Sequence, residues 1–408
     1  MSTPERIVIV GAGHAGGAAI LNLRAAGYRG SLVLVGAEPH LPYERPPLSK
    51  ELLQGRPGTT FRPIKDRDWY DAQGVTLHLG DPAVALDPEA RTIALAGGRT
   101  LPYDRLLLTT GGRVRRLDAP GSDLAGIHYL RTLDDSYTLE PKLQPGVRVA
   151  VVGGGFIGLE VAASARTRGA HVIVLEAADR LMARAVDPAV SATFLTLHTD
   201  HGVDIHLGMG LTRFEGTGRI ESVVDANGRA MPVDLAVVGV GIQPDVEMAA
   251  AAGLAVENGI VVDEYCRTSA PDIFAAGDNA YAFNPALGRH LRQESWQNAQ
   301  NQAAAAARTM LGDPQPYAEQ PWVWSDQFDA NLQIAGAPAD WDNTVFRGDQ
   351  TGRAGFALFQ MRDGVIVGAQ TVNRGRDMRF IRRLIAQSAR IDPRILADET
   401  IALKDIGR

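Results

Sequence analysis

Apolar and polar positions along the chain follow the same order of elements twice. Near the N-terminus, the pattern predicts a strand, a helix and a strand at residues 6–10, 14–26 and 31–35. The same order recurs further on, at residues 147–152, 156–168 and 171–175. A strand, a helix and a strand in succession are typical of a parallel sheet with crossover helices. The sequence therefore predicts an α/β fold that contains two βαβ units.

Three further apolar runs indicate how the two units are arranged. Residues 103–112 and 234–241 each predict a buried strand that ends in a glycine turn, and residues 268–278 predict another strand. We therefore expect the first unit to be interrupted by the second and to resume after it. From Pro321 onward, the pattern becomes that of an α+β domain. The predicted domains comprise residues 1–113 with 243–320, residues 114–242, and residues 321–408.

Composition narrows the class of protein. A chain of 408 residues exceeds the usual size of one domain. The formal net charge of -6 gives no reason to expect nucleic acid or a membrane as a partner, and no apolar stretch is long enough to span a bilayer. The N-terminus enters the first strand without a signal-peptide pattern, so we expect a cytoplasmic protein. The single cysteine, Cys266, excludes a redox mechanism that needs a cysteine pair.

A glycine motif, G-x-G-x-x-G, follows the first strand of each unit. Its first glycine permits a tight turn, its second lets a pyrophosphate approach the backbone, and its third lets the helix pack close to the strand. One such motif is weak evidence because glycine turns after strands are common, whereas two in one chain predict two bound dinucleotides. The glycines are Gly11, Gly13 and Gly16 in the first motif, and Gly153, Gly155 and Gly158 in the second.

Acidic residues indicate where each nucleotide sugar would lie. A carboxylate about 20 residues after the motif can accept hydrogen bonds from a ribose, and Glu38 and Glu176 lie near that offset. Glu176 is followed by two alanines, which favours NADH over NADPH unless Arg180 or Arg184 folds back over the site. Glu160 is expected on the first turn of the second helix, where it either orients the nicotinamide carboxamide or interacts with the helix dipole.

Beyond these motifs, the chain resembles the glutathione-reductase-like FAD/NAD(P) oxidoreductases at residues 109–112 (T-T-G-G) and 274–278 (F-A-A-G-D). Segments 42–50, 294–299 and 321–327 resemble the ferredoxin reductases of bacterial oxygenase systems. The nearest similarity is to those of aromatic-ring dioxygenases, of the 3-phenylpropionate/cinnamic acid type, and the putidaredoxin reductases of P450 systems are similar too. The resemblance implies two nested Rossmann-like FAD and NAD domains followed by a C-terminal α+β domain.

The same resemblance implies the residues that bind FAD and NAD. Several relatives have an acidic residue where this chain has Ala37, so the FAD ribose contact is expected at Glu38. Arg131 would contact FAD, and Trp296 would approach the isoalloxazine. For the rest of FAD, the implied contacts are Gly13 and Ala15 with the pyrophosphate, Arg45 and Lys50 with the phosphate and flavin regions, and Asp278 with the ribityl chain. Further cofactor contacts are implied at Pro46, Val84, Ile157, Arg184, Gly241 and Gly277.

The expected chemistry depends on a predicted pair and on an absent thiol. The resemblance pairs Lys50 with Glu160 near the flavin, and we expect these two residues to be catalytic. Residues 39–60 contain no cysteine, whereas related NADH oxidases and peroxidases carry a redox cysteine there. Electrons that enter as a pair from NADH are then expected to leave singly to an external carrier. We predict a [2Fe–2S] ferredoxin of the Rieske type; the alternatives are a ferredoxin of a P450 system, or a redox-sensing role for the flavoprotein.

Arginines near the C-terminus suggest where such a carrier could dock. If residues 376–387 are helical, Arg376, Arg379 and Arg383 share one face, which would steer an acidic protein. The alternative is an ordinary solvated face.

Two further groups of aromatic and histidine side chains are candidate sites. Trp324 either approaches the flavin or is a core aromatic of the third domain. Three histidines, His198, His201 and His206, lack the carboxylates or cysteines that would complete a metal site, and we expect a polar loop there and no metal.

Overall fold

The computed structural model describes residues 4–56, 59, 61–350 and 355–407. These residues form two compact units. The first unit comprises Met1–Arg45, Phe61–Arg113 and Gln243–Glu319, and the second comprises Pro46–Thr60, Val114–Ile242 and Gln320–Arg408. The segment 46–60 therefore belongs to the second unit, although the sequence suggested one continuous stretch from 1 to 113. The division of the chain into three domains stays a prediction.

Helices and strands are numbered in chain order. Up to residue 114 they are β1 (Arg6–Val10), α1 (His14–Ala25), β2 (Ser31–Gly36), α2 (Arg67–Ala72), β3 (Val75–Leu79), β4 (Ala83–Asp87), β5 (Thr92–Leu95), β6 (Thr100–Pro102), β7 (Arg105–Leu108) and β8 (Gly112–Val114). From there to residue 244 they are β9 (Ile127–Tyr129), α3 (Leu133–Leu139), β10 (Arg148–Val152), α4 (Phe156–Thr167), β11 (His171–Glu176), α5 (Pro188–Asp200), β12 (Asp204–Leu207), β13 (Leu211–Glu215), β14 (Ser222–Asp225), β15 (Ala230–Pro232), β16 (Leu235–Val238) and β17 (Ile242–Pro244). The remainder are α6 (Glu247–Ala251), β18 (Val256–Glu257), β19 (Gly259–Val262), β20 (Ile273–Ala275), β21 (Ala280–Asn284), β22 (Arg289–Leu291), α7 (Trp296–Met310), β23 (Trp322–Gln327), β24 (Ala330–Gly336), β25 (Asn343–Gly348), β26 (Phe356–Arg362), β27 (Val365–Val372), α8 (Met378–Gln387) and α9 (Pro393–Ala397).

A parallel sheet of order β20-β7-β1-β2-β3 forms the centre of the first unit. Val10 at the end of β1 pairs with Val35 on one side and with Leu108 on the other. The strand β20 pairs with β7 although it follows the interruption in the chain. Because residues from both sides of the interruption complete one sheet, the predicted nesting is confirmed. The helices α1 and α7 cover one face of this sheet with buried aliphatic side chains.

The second unit contains an equivalent parallel sheet, of order β12-β11-β10-β16-β9. Val152 at the end of β10 pairs with Leu175 of β11 and with Val238 of β16. These pairs correspond to those of β1, which confirms the predicted duplication of the βαβ unit. In both sheets the central strand ends where the glycine motif begins, so each motif lies at the carboxyl edge, where ligands of such sheets bind.

The C-terminal part of the second unit is an antiparallel sheet of order β23-β24-β27-β26-β25. One face packs against α8 through residues such as Ile381 and Leu384. The other face packs against Leu159 of α4 and Phe194 of α5, and Leu332 of β24 lies in the same apolar cluster. Both faces are covered within this unit, so side chains of the sheet reach the helix that follows the second glycine motif.

No helix in the described part of the chain combines the length and the hydropathy that a membrane-spanning segment needs.

Candidate active site

The first glycine motif contains two glycines required by packing and one that faces open space. Gly11 has a φ of 114°, and a Cβ there would overlap the carbonyl oxygen of Thr109. A Cβ on Gly16 would overlap the carbonyl oxygen of Gly11. A Cβ on Gly13 would come no closer than 3.9 Å to any described atom, the nearest being Nη2 of Arg45. The second glycine therefore leaves a cradle that a ligand can enter.

The second motif repeats this arrangement. Gly153 has a φ of 109°, and its Cβ would lie 2.6 Å from the carbonyl oxygen of Gly239. A Cβ on Gly158 would overlap the carbonyl oxygen of Gly153, whereas one on Gly155 would meet no described atom within 4 Å. The same division of roles at both sheets distinguishes a pair of ligand cradles from two tight turns.

The helices that start at these cradles lack side-chain caps. Gly13 and Gly155 are the N-cap residues of α1 and α4, and neither helix has an acidic residue in its first turn. The first N–H groups of a helix have no partner inside the helix and carry a partial positive charge. Without a capping side chain, these groups are suited to an anionic ligand such as a pyrophosphate.

In the first unit, Glu38 is held by two of its neighbours. The Tyr43 hydroxyl donates to Oε2 of Glu38 at 2.6 Å, and Nη2 of Arg45 donates to Oε1 at 2.7 Å. Burial alone would lower the pKa of Arg45, but Tyr43, Glu38 and Asp278 raise this pKa above its ordinary value. The structure thus brings together three residues predicted for FAD binding, and adds Tyr43, which the sequence interpretation missed.

The start of α1 meets residues from the later part of the first unit. The ring of His14 lies 5.1 Å from that of Trp296, and burial lowers the pKa of His14. A Cβ on Gly277 would lie 3.2 Å from the Cβ of Ala15, so these two residues are also adjacent. The N-terminus of α1 is therefore surrounded by predicted cofactor residues.

In the second unit, Glu176 ends β11 and is oriented by the backbone. Its Oε2 accepts a hydrogen bond from the N–H of Gly154 at 2.6 Å, and its Oε1 accepts one from the N–H of Ala178 at 2.7 Å. A carboxylate oxygen can accept more than one hydrogen bond, so both oxygens keep capacity for ribose hydroxyls. The carboxylate is thus fixed beside the second glycine motif.

The two arginines that could have altered the coenzyme preference have other contacts. Arg180 donates to the carbonyl oxygens of Ala183 and Val186 and to the hydroxyl of Ser191. Arg184 is exposed and extends toward Gly241, where a Cβ would be 3.7 Å from its Nη2. Arg180 is therefore engaged by the protein's own acceptors, and Arg184 reaches the glycine turn after β16, where the cofactor was predicted.

The predicted pair of Lys50 and Glu160 is present and buried. Nζ of Lys50 lies 2.9 Å from Oε2 of Glu160, and the Ser49 hydroxyl donates to the same oxygen at 2.5 Å. The Ser325 hydroxyl donates to Oε1 at 2.6 Å. Glu160 is the fifth residue of α4, so its expected position on the first turn, and with it the helix-dipole interpretation, is wrong. These three contacts instead make it a fixed, ion-paired group inside the unit.

The segment that carries Lys50 is anchored to the second unit by buried serines. Residues Pro46–Ser49 form a short 3-10 helix. The Ser136 hydroxyl donates to the carbonyl oxygen of Leu48, and the Ser164 hydroxyl donates to that of Ser49. Because consecutive prolines fix φ at the start of this turn, the anchored backbone presents Lys50 to Glu160 with little freedom.

For three other predicted cofactor residues, the structure shows the position in the fold but no contact that tests the prediction. Val84 on β4 is 57% exposed, and Ile157, the second residue of α4, is 47% exposed. Arg131 precedes α3, and its backbone N–H donates to Asp135. Their cofactor contacts stay predictions.

The predicted arginine face is only partly available for a partner. Arg376 and Arg379 are exposed, but Arg376 precedes α8, which begins at Met378. Nη2 of Arg383 instead donates to the carbonyl oxygens of Leu403, Lys404 and Ile406 near the C-terminus. The expectation of a shared helix face is therefore wrong for Arg376, which lies before the helix, and the expectation of an available side chain is wrong for Arg383.

The three histidines do not form the expected polar loop. His198 is fully buried in the last turn of α5, His201 follows that helix, and His206 lies on β12. No group of three or more potential metal ligands occurs in the part of the chain that the structure describes. Trp324 stacks on Trp322 with ring centroids 5.1 Å apart, which leaves its relation to the flavin a prediction.

The polar contacts of Glu160 could not be found from sequence. Ser49 and Ser325 are separated from Glu160 by more than 100 positions. The only local signal of each serine is a small polar residue beside apolar ones, and such a signal is common. The pairing depends on how α4 packs against β23, which the sequence pattern does not specify.

The chain matches two known protein families and is similar to reductases of known sequence and structure. Residues 5–303 match the family described as pyridine nucleotide-disulphide oxidoreductase, and residues 322–407 match the one described as reductase C-terminal. The chain is similar to the anthranilate 1,2-dioxygenase system ferredoxin–NAD(+) reductase component of Burkholderia cepacia, with 46% identity over 98% of each chain. A crystal structure of a ferredoxin reductase from Rhodopseudomonas palustris matches with a TM-score of 0.95 and 41% identity, over 99% of this chain and 100% of that chain. The covalent putidaredoxin reductase–putidaredoxin complex matches with a TM-score of 0.95 and 36% identity, over 99% of this chain and 98% of that chain.

Proposed function

The chain belongs to the pyridine nucleotide-disulphide oxidoreductase family, and we propose that it passes electrons from NADH to the [2Fe–2S] ferredoxin of an aromatic-ring dioxygenase. It is an oxidoreductase of the ferredoxin reductase type, and its cofactors are FAD and NAD. Similarity along almost the whole of a dioxygenase-system reductase supports the choice of partner. Similarity to putidaredoxin reductase makes the ferredoxin of a P450 system the second candidate.

One observation carries this proposal: each of the two parallel sheets ends in a cradle at its second glycine. Gly13 and Gly155 face open space, and the N–H groups of the helices behind them lack side-chain caps. Two such cradles fit two dinucleotides. The single cysteine of the chain is buried, and burial raises the pKa of Cys266 far above its ordinary value. A thiol relay is thus excluded, and electrons leave to another protein.

The residues of the first unit fit FAD. The α1 N-terminus would bind the pyrophosphate at Gly13, and Glu38 with Arg45 would bind the polar groups beside it. Trp296 and His14 would provide a flat, largely apolar contact. When bound, FAD supplies a group that accepts a hydride and releases electrons singly. The protein's own task is to hold that group and to exclude competing acceptors.

The residues of the second unit fit NADH. Glu176, oriented by two backbone N–H groups, would accept hydrogen bonds from the adenosine ribose and repel a 2′-phosphate. Glu160 would orient the nicotinamide, and Lys50 would hold a positive charge beside it. Serine hydroxyls also hold the carboxylate of this buried ion pair. The pair should keep its geometry between turnovers, since breaking it leaves an uncompensated charge.

For the ferredoxin, we propose a docking surface that includes Arg376 and Arg379, which are exposed. An acidic carrier would be steered to them, so its association should weaken as salt increases. We also propose a cytoplasmic location, because a single buried thiol and a ferredoxin partner both suit a reducing compartment.

The proposal is tested by NADH-driven cytochrome c reduction, measured with and without a purified Rieske-type ferredoxin. We expect a large ferredoxin-dependent increase. A response only to a P450-type ferredoxin would support the second candidate. Rapid reduction of the bound flavin with no response to either ferredoxin would refute the electron-transfer function and favour a redox-sensing role.

The role of Glu160 is tested separately by Glu160→Gln. Its matched control is Glu140→Gln, because Glu140 forms an ion pair with Arg168 in the same unit. We expect slower flavin reduction by NADH in the first variant alone. Equal rates in the two variants would refute the assignment of Glu160.

A further inference from the structure

Buried polar side chains continue behind Glu160 into the C-terminal sheet. The Ser325 hydroxyl donates to Oε1 of Glu160 at 2.6 Å, and Nε2 of Gln327 lies 3.1 Å from that hydroxyl. Oε1 of Gln327 lies 2.9 Å from Nε2 of His198. Ser325, Gln327 and His198 are all fully buried. A continuous hydrogen-bonded chain thus leads from α5 through β23 to the charged pair.

The direction of this chain follows from the charge at one end. As the partner of the Lys50 ammonium, the Glu160 carboxylate only accepts, so the single proton of Ser325 points toward it. The Gln327 group that faces Ser325 must then donate, which makes it the amide NH₂ and turns the amide oxygen toward His198. That oxygen also only accepts, so His198 carries a proton on Nε2. Every donor points toward Glu160.

The surroundings make a purely packing role a poor explanation. Ser325 and Gln327 pair across the sheet with Leu332 and Ala330, which belong to an apolar cluster. Two apolar residues would extend this cluster without the cost of burying polar groups. His198 carries such a cost visibly, since its Nδ1 has no hydrogen-bond partner among the described residues.

We propose that Ser325, Gln327 and His198 are positioning residues that orient the Glu160 carboxylate toward the coenzyme. The inference rests on the proposed role of Glu160 in the reaction with NADH. It assigns the C-terminal sheet a part in coenzyme chemistry, in addition to any contact with a ferredoxin. Ser49 and Lys50 contact one oxygen of the Glu160 carboxylate, and the hydrogen-bonded chain from His198 to Ser325 contacts the other.

The first test is Ser325→Ala in the FAD-loaded protein, with the rate of flavin reduction followed by stopped-flow absorbance. A hydrogen bond to a charged group corresponds to about 10- to 100-fold in rate. We expect a loss of about tenfold at saturating NADH, with the NADH dissociation constant nearly unchanged. Ser325→Thr, which keeps the hydroxyl in a strand position that favours branched residues, should restore most of the rate.

The matched control is Thr371→Val, because Thr371 is fully buried in the same sheet and its hydroxyl has no partner among the described residues. Its rate should equal that of the parent protein. If the flavin of Ser325→Ala is reduced at the parental rate, or if Ser325→Thr folds normally but does not recover that rate, the proposal is overturned.

Comparison with Glu160→Gln separates this proposal from the proposed role of Glu160. A slow Glu160→Gln with a normal Ser325→Ala refutes only the chain, whereas a normal Glu160→Gln refutes the role of Glu160 itself.

A second readout does not depend on activity. Nitrogen-15 NMR of histidine-labelled protein reports which ring nitrogen of His198 is protonated, and His198→Gln assigns its signal. We expect the Nε2–H form in the parent protein and a changed signal in Gln327→Leu and in Glu160→Gln, whose amide can donate where the carboxylate accepts. The exposed His201 serves as an internal reference. An Nδ1–H form in the parent protein, or a His198 signal indifferent to Glu160→Gln, would overturn the chain even if Ser325→Ala did not fold.

Discussion

The preference for NADH should depend on the carboxylate of Glu176, and Glu176→Ala removes it. In the folded protein this carboxylate is already held by the N–H groups of Gly154 and Ala178, at 2.6 and 2.7 Å. Its orientation is therefore set before the coenzyme arrives, and little entropy is lost when a ribose binds. The substitution removes the charge and leaves two backbone donors to water.

The magnitude follows from the interaction that is lost. A hydrogen bond to a charged group contributes about 1.5–3 kcal/mol, so the dissociation constant for NADH should rise about 10- to 100-fold. NADPH never gains from this carboxylate and is repelled by it, so its affinity should stay the same or improve. The ratio of the two affinities should therefore fall by at least the factor lost for NADH.

Dissociation constants for both coenzymes can be measured by calorimetric titration, and the rate of flavin reduction by stopped-flow absorbance. The matched control is Asp179→Ala, which removes an exposed carboxylate three positions further on with the same change in net charge. The reasoning is refuted if Glu176→Ala binds NADH as the parent protein does, or if Asp179→Ala loses as much affinity.

Three further predictions test other parts of the structure. Gly16→Ala should prevent folding, because its Cβ would overlap a backbone carbonyl, whereas Gly13→Ala should fold but retain little FAD. Circular dichroism and bound-flavin absorbance check this, and a flavin-loaded Gly13→Ala would contradict it. Burial lowers the pKa of His198 from 6.5 to about 4. As the pH falls, the unfolded chain therefore binds this proton before the folded protein does. The free energy of unfolding should decrease by about 3 kcal/mol between pH 6.5 and pH 4. His198→Gln should flatten that part of the profile in urea unfolding, and an unchanged slope would count against the assignment. Arg379→Ala should weaken ferredoxin-dependent turnover mainly at low salt. Arg383→Ala should instead lower the melting temperature, because the Arg383 guanidinium donates to carbonyl oxygens near the C-terminus. The reverse pattern would place the docking surface elsewhere.

Local features explain why much of the fold was predictable. Each glycine motif begins within a few residues of the apolar run that precedes it, which is β1 in the first unit and β10 in the second. Gly11 and Gly153 both have positive φ because a carbonyl oxygen occupies the space of a Cβ. Those oxygens belong to Thr109 and Gly239, which are distant in sequence, but a tight turn directly after an apolar strand already favours glycine, so a pattern of residue types reveals the motif. The carboxylate of Glu176 at the end of a strand is recognisable for the same reason.

The errors arise where distant segments meet. A polar loop was expected at His198 because no carboxylate or cysteine completes a metal site with the three histidines, yet the helix of His198 packs against the C-terminal sheet and buries it. Arg383 was expected to face solvent, but a turn about 20 residues later supplies three carbonyl oxygens to it. The sequence shows that an arginine is present on a helix and does not show which acceptors fold over it.

By itself, the sequence determined the α/β class, the duplicated βαβ unit, its interruption, two dinucleotide sites and the absence of a cysteine pair. The fold features and the nucleotide sites follow from periodicity and glycine motifs, which depend on residues close in sequence. The absence of a cysteine pair follows from composition alone. The family resemblance implied the pair of Lys50 and Glu160. Only the tertiary structure decided that buried serines anchor the segment of Lys50, and that Ser325 approaches the same carboxylate from the C-terminal sheet. Those contacts depend on the packing of α4 against a strand more than 150 residues away. Many sequences satisfy the same local pattern, and the position of a buried charge is settled only when all of its hydrogen-bonding partners are assembled around it.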